Sequence, residues 1–252
     1  MTTQTKIPET SIGQSTAGQG KWGMVIDQDM CTGCQACVAA CVMENNISFV
    51  GEDDLAYGRG MHWIRIERFW QGDFPKVSSS FQPMLCQQCG HAPCEPVCPV
   101  YASVQSAAEE INLQVYNRCV GTRYCANNCP YQVRTFNWRD YTRPEPLNNQ
   151  LNPDVTVRRM GVMEKCTFCI QRINAVEDKA ASENRQIKDG EMVPACAQAC
   201  PAYAITFGRI DDPNSKVSQK ARDDRGFMAL EELGTLPRVT YLKGGSSHGS
   251  NG

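Results

Sequence analysis

The sequence predicts an α+β protein made of small units built around cysteine loops. The chain of 252 residues has 15 cysteines, and they form four groups that each end in two cysteines separated by three residues. This arrangement is an internal repeat. Short apolar segments and stretches of good helix formers lie between the groups. The groups occupy residues 31–41, 86–98, 119–129 and 166–200.

Local patterns indicate where the regular elements lie. The alternation of apolar and polar residues in HWIRIERFW predicts a half-buried strand at 62–70. Residues 37–44 and 166–183 contain good helix formers and no internal proline, so we expect helices there. The other short apolar segments that flank the groups are 22–26, 114–116, 133–138 and 204–210.

The charge composition does not favour nucleic acid or a lipid surface as a partner. Lys and Arg number 25 against 27 Asp and Glu, a net charge of -2, so no basic surplus points to nucleic acid or to a lipid surface. The sequence has no apolar run of the roughly 20 residues that span a bilayer, and its N-terminus shows no export signal. Its compartment stays open, because a folded subunit can be exported while bound to a partner that carries a signal.

The cysteines indicate metal ligation. An odd total cannot all be paired as disulfides, and the chain is much longer than small secreted disulfide scaffolds. In Cys31-x2-Cys34-x2-Cys37-x3-Cys41 the close spacing aims three thiolates at three corners of a 4Fe-4S cubane, which leaves the fourth cysteine for another cluster. Zinc is the weaker alternative, since a zinc site would use paired Cys-x2-Cys hooks without the third and fourth members.

The second and fourth groups are variants of this pattern. One has a wider second gap, and the other has a long insertion between its second and third cysteines. Proline follows the last cysteine of every group except the first, where Val42 stands instead; this proline turns the chain away from a cluster. The two groups read Cys86-x2-Cys89-x4-Cys94-x3-Cys98-Pro99 and Cys166-x2-Cys169-x26-Cys196-x3-Cys200-Pro201.

The third group lacks one cysteine. It reads Cys119-x2-Thr122-x2-Cys125-x3-Cys129-Pro130, with threonine where the pattern has its second cysteine. Because one corner iron then has no thiolate, the sequence predicts a 3Fe-4S cluster. A 4Fe-4S cluster with a hydroxyl or water ligand is the alternative, although a neutral alcohol is a poor ligand for soft iron.

Residues 21–210 resemble the four-cluster ferredoxin subunits of the complex iron-sulfur molybdoenzymes. The resemblance is closest to the iron-sulfur subunits of the menaquinone reductase complex Qrc and of alternative complex III, and the segments that carry it are VYNRCVGTRYCANNCPYQVRTFNW (115–138), GVMEKCTFCIQRI (161–173) and DGEMVPACAQACPAYAITFG (189–208). It implies two intertwined ferredoxin-like modules, each a double βαβ unit, with extended tails. We expect modules at 21–82 with 160–210 and at 83–141, a mobile tail at 1–20 and a surface loop at 142–159. We also expect a C-terminal arm at 211–252 that contacts a partner or, as the alternative, covers the chain's own clusters.

The resemblance also implies how the cysteines are shared among three 4Fe-4S clusters and one 3Fe-4S cluster. In each module the last cysteine of a group serves the other cluster. The expected 4Fe-4S ligand sets are Cys31, Cys34, Cys37 and Cys200; Cys166, Cys169, Cys196 and Cys41; and Cys86, Cys89, Cys94 and Cys129. The expected 3Fe-4S ligands are Cys119, Cys125 and Cys98, with Thr122 at the vacant position.

We therefore expect an electron-transfer subunit that is not an enzyme by itself. The resemblance implies a large molybdoenzyme-like subunit, an integral membrane quinone-binding subunit and a multihaem cytochrome c subunit as partners. It also implies a peripheral position on the periplasmic face of the membrane through co-export, the cytoplasmic face being the alternative. The alternatives in function are a free soluble polyferredoxin and a cytoplasmic electron-transfer subunit of a molybdenum reductase or dehydrogenase.

Few residues other than the cysteines are predicted to have a chemical role. His62, His91 and His248 lie in no zinc or Rieske pattern, although His91 is placed to form a hydrogen bond near a cluster. Lys165 and Arg123, which neighbour ligand positions, are expected either to offset cluster charge or to be ordinary surface residues.

Overall fold

The structure, a computed structural model, describes residues 20–106, 110–141 and 143–244, so most of the predicted N-terminal tail and the last eight residues lie outside the described residues. The described part is mixed α+β with small sheets, the predicted class. Its strands are β1 (Trp22–Asp27), β2 (Ile64–Gln71), β3 (Ser78–Leu85), β4 (Ser103–Gln105), β5 (Asn112–Gln114), β6 (Thr135–Phe136), β7 (Met163–Glu164), β8 (Ile205–Arg209), β9 (Gly226–Phe227) and β10 (Val239–Leu242). Its helices are α1 (Ala36–Glu44), α2 (Glu52–Ala56), α3 (Tyr124–Asn127), α4 (Ile170–Ser182), α5 (Ala195–Gln198) and α6 (Lys216–Ala221).

The largest sheet in the described residues has the order β8-β1-β10-β9. Strand β1 pairs antiparallel with β8 and parallel with β10. Both faces of β1 are covered: Met24 and Ile26 lie in the main core, whereas Val25 packs on the other face against Val217 of α6 and Leu242. A strand buried on both faces shows a continuous apolar run instead of alternation, which is the pattern of residues 22–26.

Strands β2 and β3 form an antiparallel hairpin in register from Ile64 opposite Leu85 to Gln71 opposite Ser78. The predicted strand is therefore present, but it is buried at only one end. Ile64 is buried, whereas Phe69 and Trp70 are exposed because the hairpin extends beyond the core. Two further pairs, β4 with β5 and β6 with β7, are short and antiparallel.

Both predicted helices are present, but the predicted bounds are more accurate for one than for the other. Helix α1 begins one residue before the predicted start and ends at Glu44, as predicted. Helix α4 begins at Ile170, four residues after the predicted start, because Phe168 and Cys169 have left-handed backbone conformations with φ of 55° and 53°. A right-handed helix cannot include such residues, so the first cysteines of the fourth group lie in a loop.

Two segments outside the cysteine groups pack on the rest of the chain. Residues 143–159 contain one 3-10 turn, Leu147–Gln150, and the Asn46 side chain donates hydrogen bonds to the carbonyl groups of Asn152 (2.8 Å) and Val155 (2.7 Å). The described part of the expected C-terminal arm forms α6, β9 and β10, and β10 lies within the chain's own sheet beside β1. In the described part of the chain, every helix is too short or too polar to cross a membrane.

Candidate metal centres

All 15 cysteines lie in the described residues, and all are free thiols. Twelve of them line three separate cavities, and each cavity is lined by cysteines of two chain segments. The thiols surround a space; among the described residues, no three His, Cys, Asp or Glu side chains meet closely enough to hold a single metal ion. The cavities are lined by Cys31, Cys34, Cys37 and Cys200; by Cys41, Cys166, Cys169 and Cys196; and by Cys86, Cys89, Cys94 and Cys129.

The three remaining cysteines are Cys98, Cys119 and Cys125. Cys119 lies close enough to Cys125 for its negative charge to raise the pKa of the Cys125 thiol, although burial is the larger cause of that increase. The Cys119 Sγ atom accepts a hydrogen bond from the Met163 backbone N–H at 3.4 Å. Cys98 Sγ accepts one from the Ala102 N–H at 3.1 Å.

The first and third groups have matching loop conformations. Gly33 and Gly121 have φ of 69° and 77°, and two residues later Gln35 and Arg123 have φ of 63° and 61°. Glycine adopts such backbone angles without the steric cost that a Cβ imposes. Because the two loops turn in the same way, exposed Thr122 occupies the place in its loop that exposed Cys34 occupies in the first group.

The cysteine-proline ends of three groups also share a conformation. In each, the residue three positions after the cysteine has a left-handed backbone, and the next backbone N–H is placed to donate to the cysteine sulfur. The Ala204 N–H donates to Cys200 Sγ at 3.3 Å, as the Ala102 N–H does to Cys98. Such N–H groups stabilise thiolate charge. The left-handed residues are Tyr101, Gln132 and Tyr203.

The first group ends differently because Val42 replaces proline. Helix α1 continues past Cys41 to Glu44, so no backbone turn delivers an N–H to the Cys41 sulfur. The side chain of Asn45 takes this role: its Nδ2 donates to the Cys41 carbonyl at 3.1 Å and lies 3.6 Å from Cys41 Sγ and 3.9 Å from Cys169 Sγ. The sequence did not single out Asn45.

The electrostatics of the thiols fit a cationic inorganic core. Burial, together with repulsion from neighbouring cysteines, raises the pKa of Cys37 to about 11 and the pKa of Cys89 and Cys166 to about 12. Burial also raises the pKa of Cys41 well above its usual value, and repulsion from Cys166, Cys169 and Cys196 adds to the increase. Four buried thiolates around one cavity are unfavourable unless positive charge lies between them, and soft thiolates are the ligands of iron-sulfur clusters.

The two basic residues that neighbour ligand positions have different environments. Lys165 is fully buried, and its Nζ donates to the carbonyl groups of Cys166 (2.9 Å) and Asn112. Arg123 is exposed and lies over the ring of Trp138 at 4.6 Å. Lys165 is therefore placed to offset charge near Cys166, whereas Arg123 lies at the surface.

The described histidines lie at the surface, whereas one further arginine contacts a cysteine of a cluster cavity. His62 and His91 are exposed, and His248 lies outside the described residues. Arg134, which the sequence did not single out, is buried with its Nη2 3.0 Å from Cys94 Sγ.

Comparisons with known proteins agree with this chemistry. The model of the 4Fe-4S dicluster domain family matches residues 77–143, which include the second and third cysteine groups. The chain is 44% identical, over 88% of both chains, to the menaquinone reductase iron-sulfur cluster-binding subunit of Nitratidesulfovibrio vulgaris strain Hildenborough. It is 36% identical to the Hdr-like menaquinol oxidoreductase iron-sulfur subunit 1 of Archaeoglobus fulgidus, over 88% of this chain and 83% of the relative. It is 32% identical to the arsenate respiratory reductase iron-sulfur subunit ArrB of Shewanella sp. strain ANA-3, over 88% of this chain and 95% of the relative.

Proposed function

Because the chain belongs to the family of 4Fe-4S dicluster iron-sulfur subunits of respiratory oxidoreductase complexes, we propose that it relays electrons through four clusters between a quinone-reactive membrane subunit and a second redox partner. The clusters, when bound, supply one-electron transfer. The protein's own residues hold them in place, shield them from water and direct N–H groups and charge at their sulfurs. No bond-making step is assigned to this chain.

The observation that carries this proposal is the crossing of cysteines between segments. Cys200 lines the cavity of the first group, and Cys41 lines the cavity of the fourth. In the same way Cys129 of the third group lines the cavity of the second. This exchange is the ligand logic of two-cluster ferredoxins. It supports the three 4Fe-4S ligand sets that the resemblance implies.

The same exchange supports the proposed architecture of two intertwined ferredoxin-like modules. We assign residues 21–82 with 160–210 to one module and 83–141 to the other. Strand β1 before the first group pairs antiparallel with β8 after the fourth, as expected of two halves of one unit. We likewise propose a surface loop at 142–159 and a partner-contacting segment at 211–252; residue 142 and residues 245–252 lie outside the described residues.

The proposed fourth centre is a 3Fe-4S cluster held by Cys98, Cys119 and Cys125. Its support is the position of Thr122, whose loop has the backbone turns of the loop that presents Cys34. A neutral hydroxyl is a poor ligand for soft iron, so an iron atom at the position that faces Thr122 would have no strong ligand. A 4Fe-4S cluster completed by the hydroxyl or by water is the alternative outcome.

The proposed partners are an integral membrane quinone-binding subunit, a large molybdoenzyme-like subunit and a multihaem cytochrome c subunit. Support comes from relatives whose names include menaquinone reductase, menaquinol oxidoreductase and arsenate respiratory reductase. We assign the subunit to the periplasmic face of the membrane, reached by export together with a partner that carries a signal. The cytoplasmic face is the alternative.

The test uses the chain affinity-tagged in its native membrane complex. A menaquinol analogue is added anaerobically to the complex and, separately, to the isolated chain, and cluster reduction is followed by low-temperature EPR. We expect reduction in the complex only, and an integral membrane subunit among the co-purified chains. A chain that purifies alone and is reduced by the quinol without a partner would identify a free polyferredoxin and contradict the proposal.

A further inference from the structure

Arg134 is a buried cation with neutral hydrogen-bond partners. The residue is 8% exposed, and no carboxylate within the described residues forms an ion pair with it. The guanidinium donates to Ser103 Oγ at 2.6 Å, Gln114 Oε1 at 2.8 Å and Asn112 Oδ1 at 3.0 Å. It also donates to the sulfur of Cys94 at 3.0 Å.

A buried positive charge of this kind requires a nearby negative charge. Arginine does not lose its proton in proteins, and an unpaired buried charge is strongly unfavourable. Among the described hydrogen-bond partners of Arg134, the sulfur of Cys94 is the one that can carry a negative charge. The counter-charge of Arg134 is thus supplied by a cysteine that is a proposed cluster ligand.

The guanidinium lies between two proposed ligand sets. Cys94 lines the cavity of the second group. The Nη2 atom that donates to Cys94 also donates to Ser103 Oγ, and Ser103 follows Ala102, whose backbone N–H donates to the sulfur of Cys98 in the proposed 3Fe-4S set. One guanidinium therefore contacts a sulfur of one set and the turn that binds a sulfur of the other, and three polar side chains fix its position.

We propose that Arg134 is a potential-setting residue shared by the two clusters of this module, raising the reduction potential of both. An electron that enters either cluster makes it more negative, and a fixed cation beside its sulfurs stabilises the reduced form. Because the same charge acts on both clusters, their potentials rise together. The inference rests on the proposed ligand sets.

The test is an anaerobic redox titration of the intact complex, followed by EPR, for wild type and Arg134→Gln. At the wild-type midpoint of each cluster, we expect the ratio of reduced to oxidised cluster to fall about tenfold, which is about 59 mV for one electron. Arg134→Lys keeps a positive charge and should retain most of the wild-type ratio for both clusters. The two clusters held by the first and fourth groups should titrate as in wild type.

The matched control is Arg225→Gln, which also removes one positive charge. Arg225 pairs with Asp27 at 3.1 Å and Asp29 at 3.0 Å, at the edge of the main sheet. We expect this variant to leave all four midpoints unchanged. A general effect of net charge would instead shift the midpoints of both variants alike and would overturn the proposal.

If Arg134→Gln fails to assemble its clusters, a second variant tests the same proposal. Gln114→Glu is isosteric, keeps the hydrogen bond to Arg134 and places a negative charge against the guanidinium. We expect it to lower the reduced fraction of the same two clusters. Unchanged midpoints in an assembled variant, or a shift of only one cluster, would overturn the shared role. Absence of the clusters from the wild-type complex would instead refute the proposed function.

Discussion

Arg158 and Glu164 form an ion pair at 2.8 Å in which both side chains are fully shielded from solvent. Glu164 also accepts hydrogen bonds from Asn137 Nδ2 at 2.6 Å and Trp63 Nε1 at 3.1 Å. Arg158 donates to the carbonyl of Asn45, at the end of helix α1, at 2.7 Å. This network joins the strand before the fourth cysteine group to the helix that ends the first group.

Glu164→Gln should destabilise the protein strongly, because it leaves the Arg158 charge buried without a counter-charge. Breaking a buried pair in this way costs about 3–5 kcal/mol, which corresponds to a decrease of about 10 °C in the thermal midpoint for a chain of this size. The measurement is anaerobic thermal unfolding at one scan rate.

Glu183→Gln is the control for this experiment, since the Glu183–Arg185 pair lies at the surface. Exposed pairs contribute at most about 1 kcal/mol, so its midpoint should stay close to that of wild type. Equal midpoints for Glu164→Gln and Glu183→Gln would show that the Arg158 pair does not stabilise the fold.

Gly121→Ala should disrupt the cluster of the third group. The residue has φ of 77°, and a Cβ there would lie 2.5 Å from the carbonyl oxygen of Gly161, so the loop has to move. We expect loss of the cluster's EPR signal and lower iron content. In the control, Gly234→Ala, φ is 63° with no atom within 4 Å of the added Cβ; backbone strain of about 1–2 kcal/mol is the expected cost. Wild-type signals in Gly121→Ala would contradict the loop's proposed role.

The exchange of cysteines between the second and third groups predicts opposite losses for two substitutions. Cys129→Ser should remove the 4Fe-4S signal of the second group, because Cys129 lies in that cavity, and leave the 3Fe-4S signal. Cys98→Ser should remove the 3Fe-4S signal and leave the 4Fe-4S signal. EPR of the oxidised and reduced variants distinguishes them. The reverse pattern would mean that each group keeps its own last cysteine.

Much of the fold follows from local sequence patterns, because a strand's burial and a helix's composition are visible within a few residues. Strand β1 and helix α1 are examples. The start of α4 and the place of β10 are not visible locally. The first depends on left-handed residues at Phe168 and Cys169 that the cluster loop imposes, and the second depends on pairing with β1, about 215 residues away in the chain.

The candidate ligands are visible in the sequence because their spacing is short and repeated. The residues that surround them are not, because their contacts join distant parts of the chain. Arg134 reaches Cys94, 40 residues away, and Asn45 reaches Cys169, 124 residues away. The one local signal for Asn45 is Val42, which stands in place of proline after Cys41. Without the proline turn, another donor has to reach the Cys41 sulfur.

The most direct test of the four-centre account is low-temperature EPR of the oxidised protein for wild type, Thr122→Cys and Thr32→Cys. Thr32 is an exposed threonine in the first group's loop, at a position that is not a ligand position, so Thr32→Cys controls for an added thiol. We expect a near-isotropic 3Fe-4S signal in wild type and Thr32→Cys that disappears in Thr122→Cys as a fourth thiolate completes the cubane. An oxidised wild-type protein without that signal, with four irons in every cluster, would contradict the four-centre account.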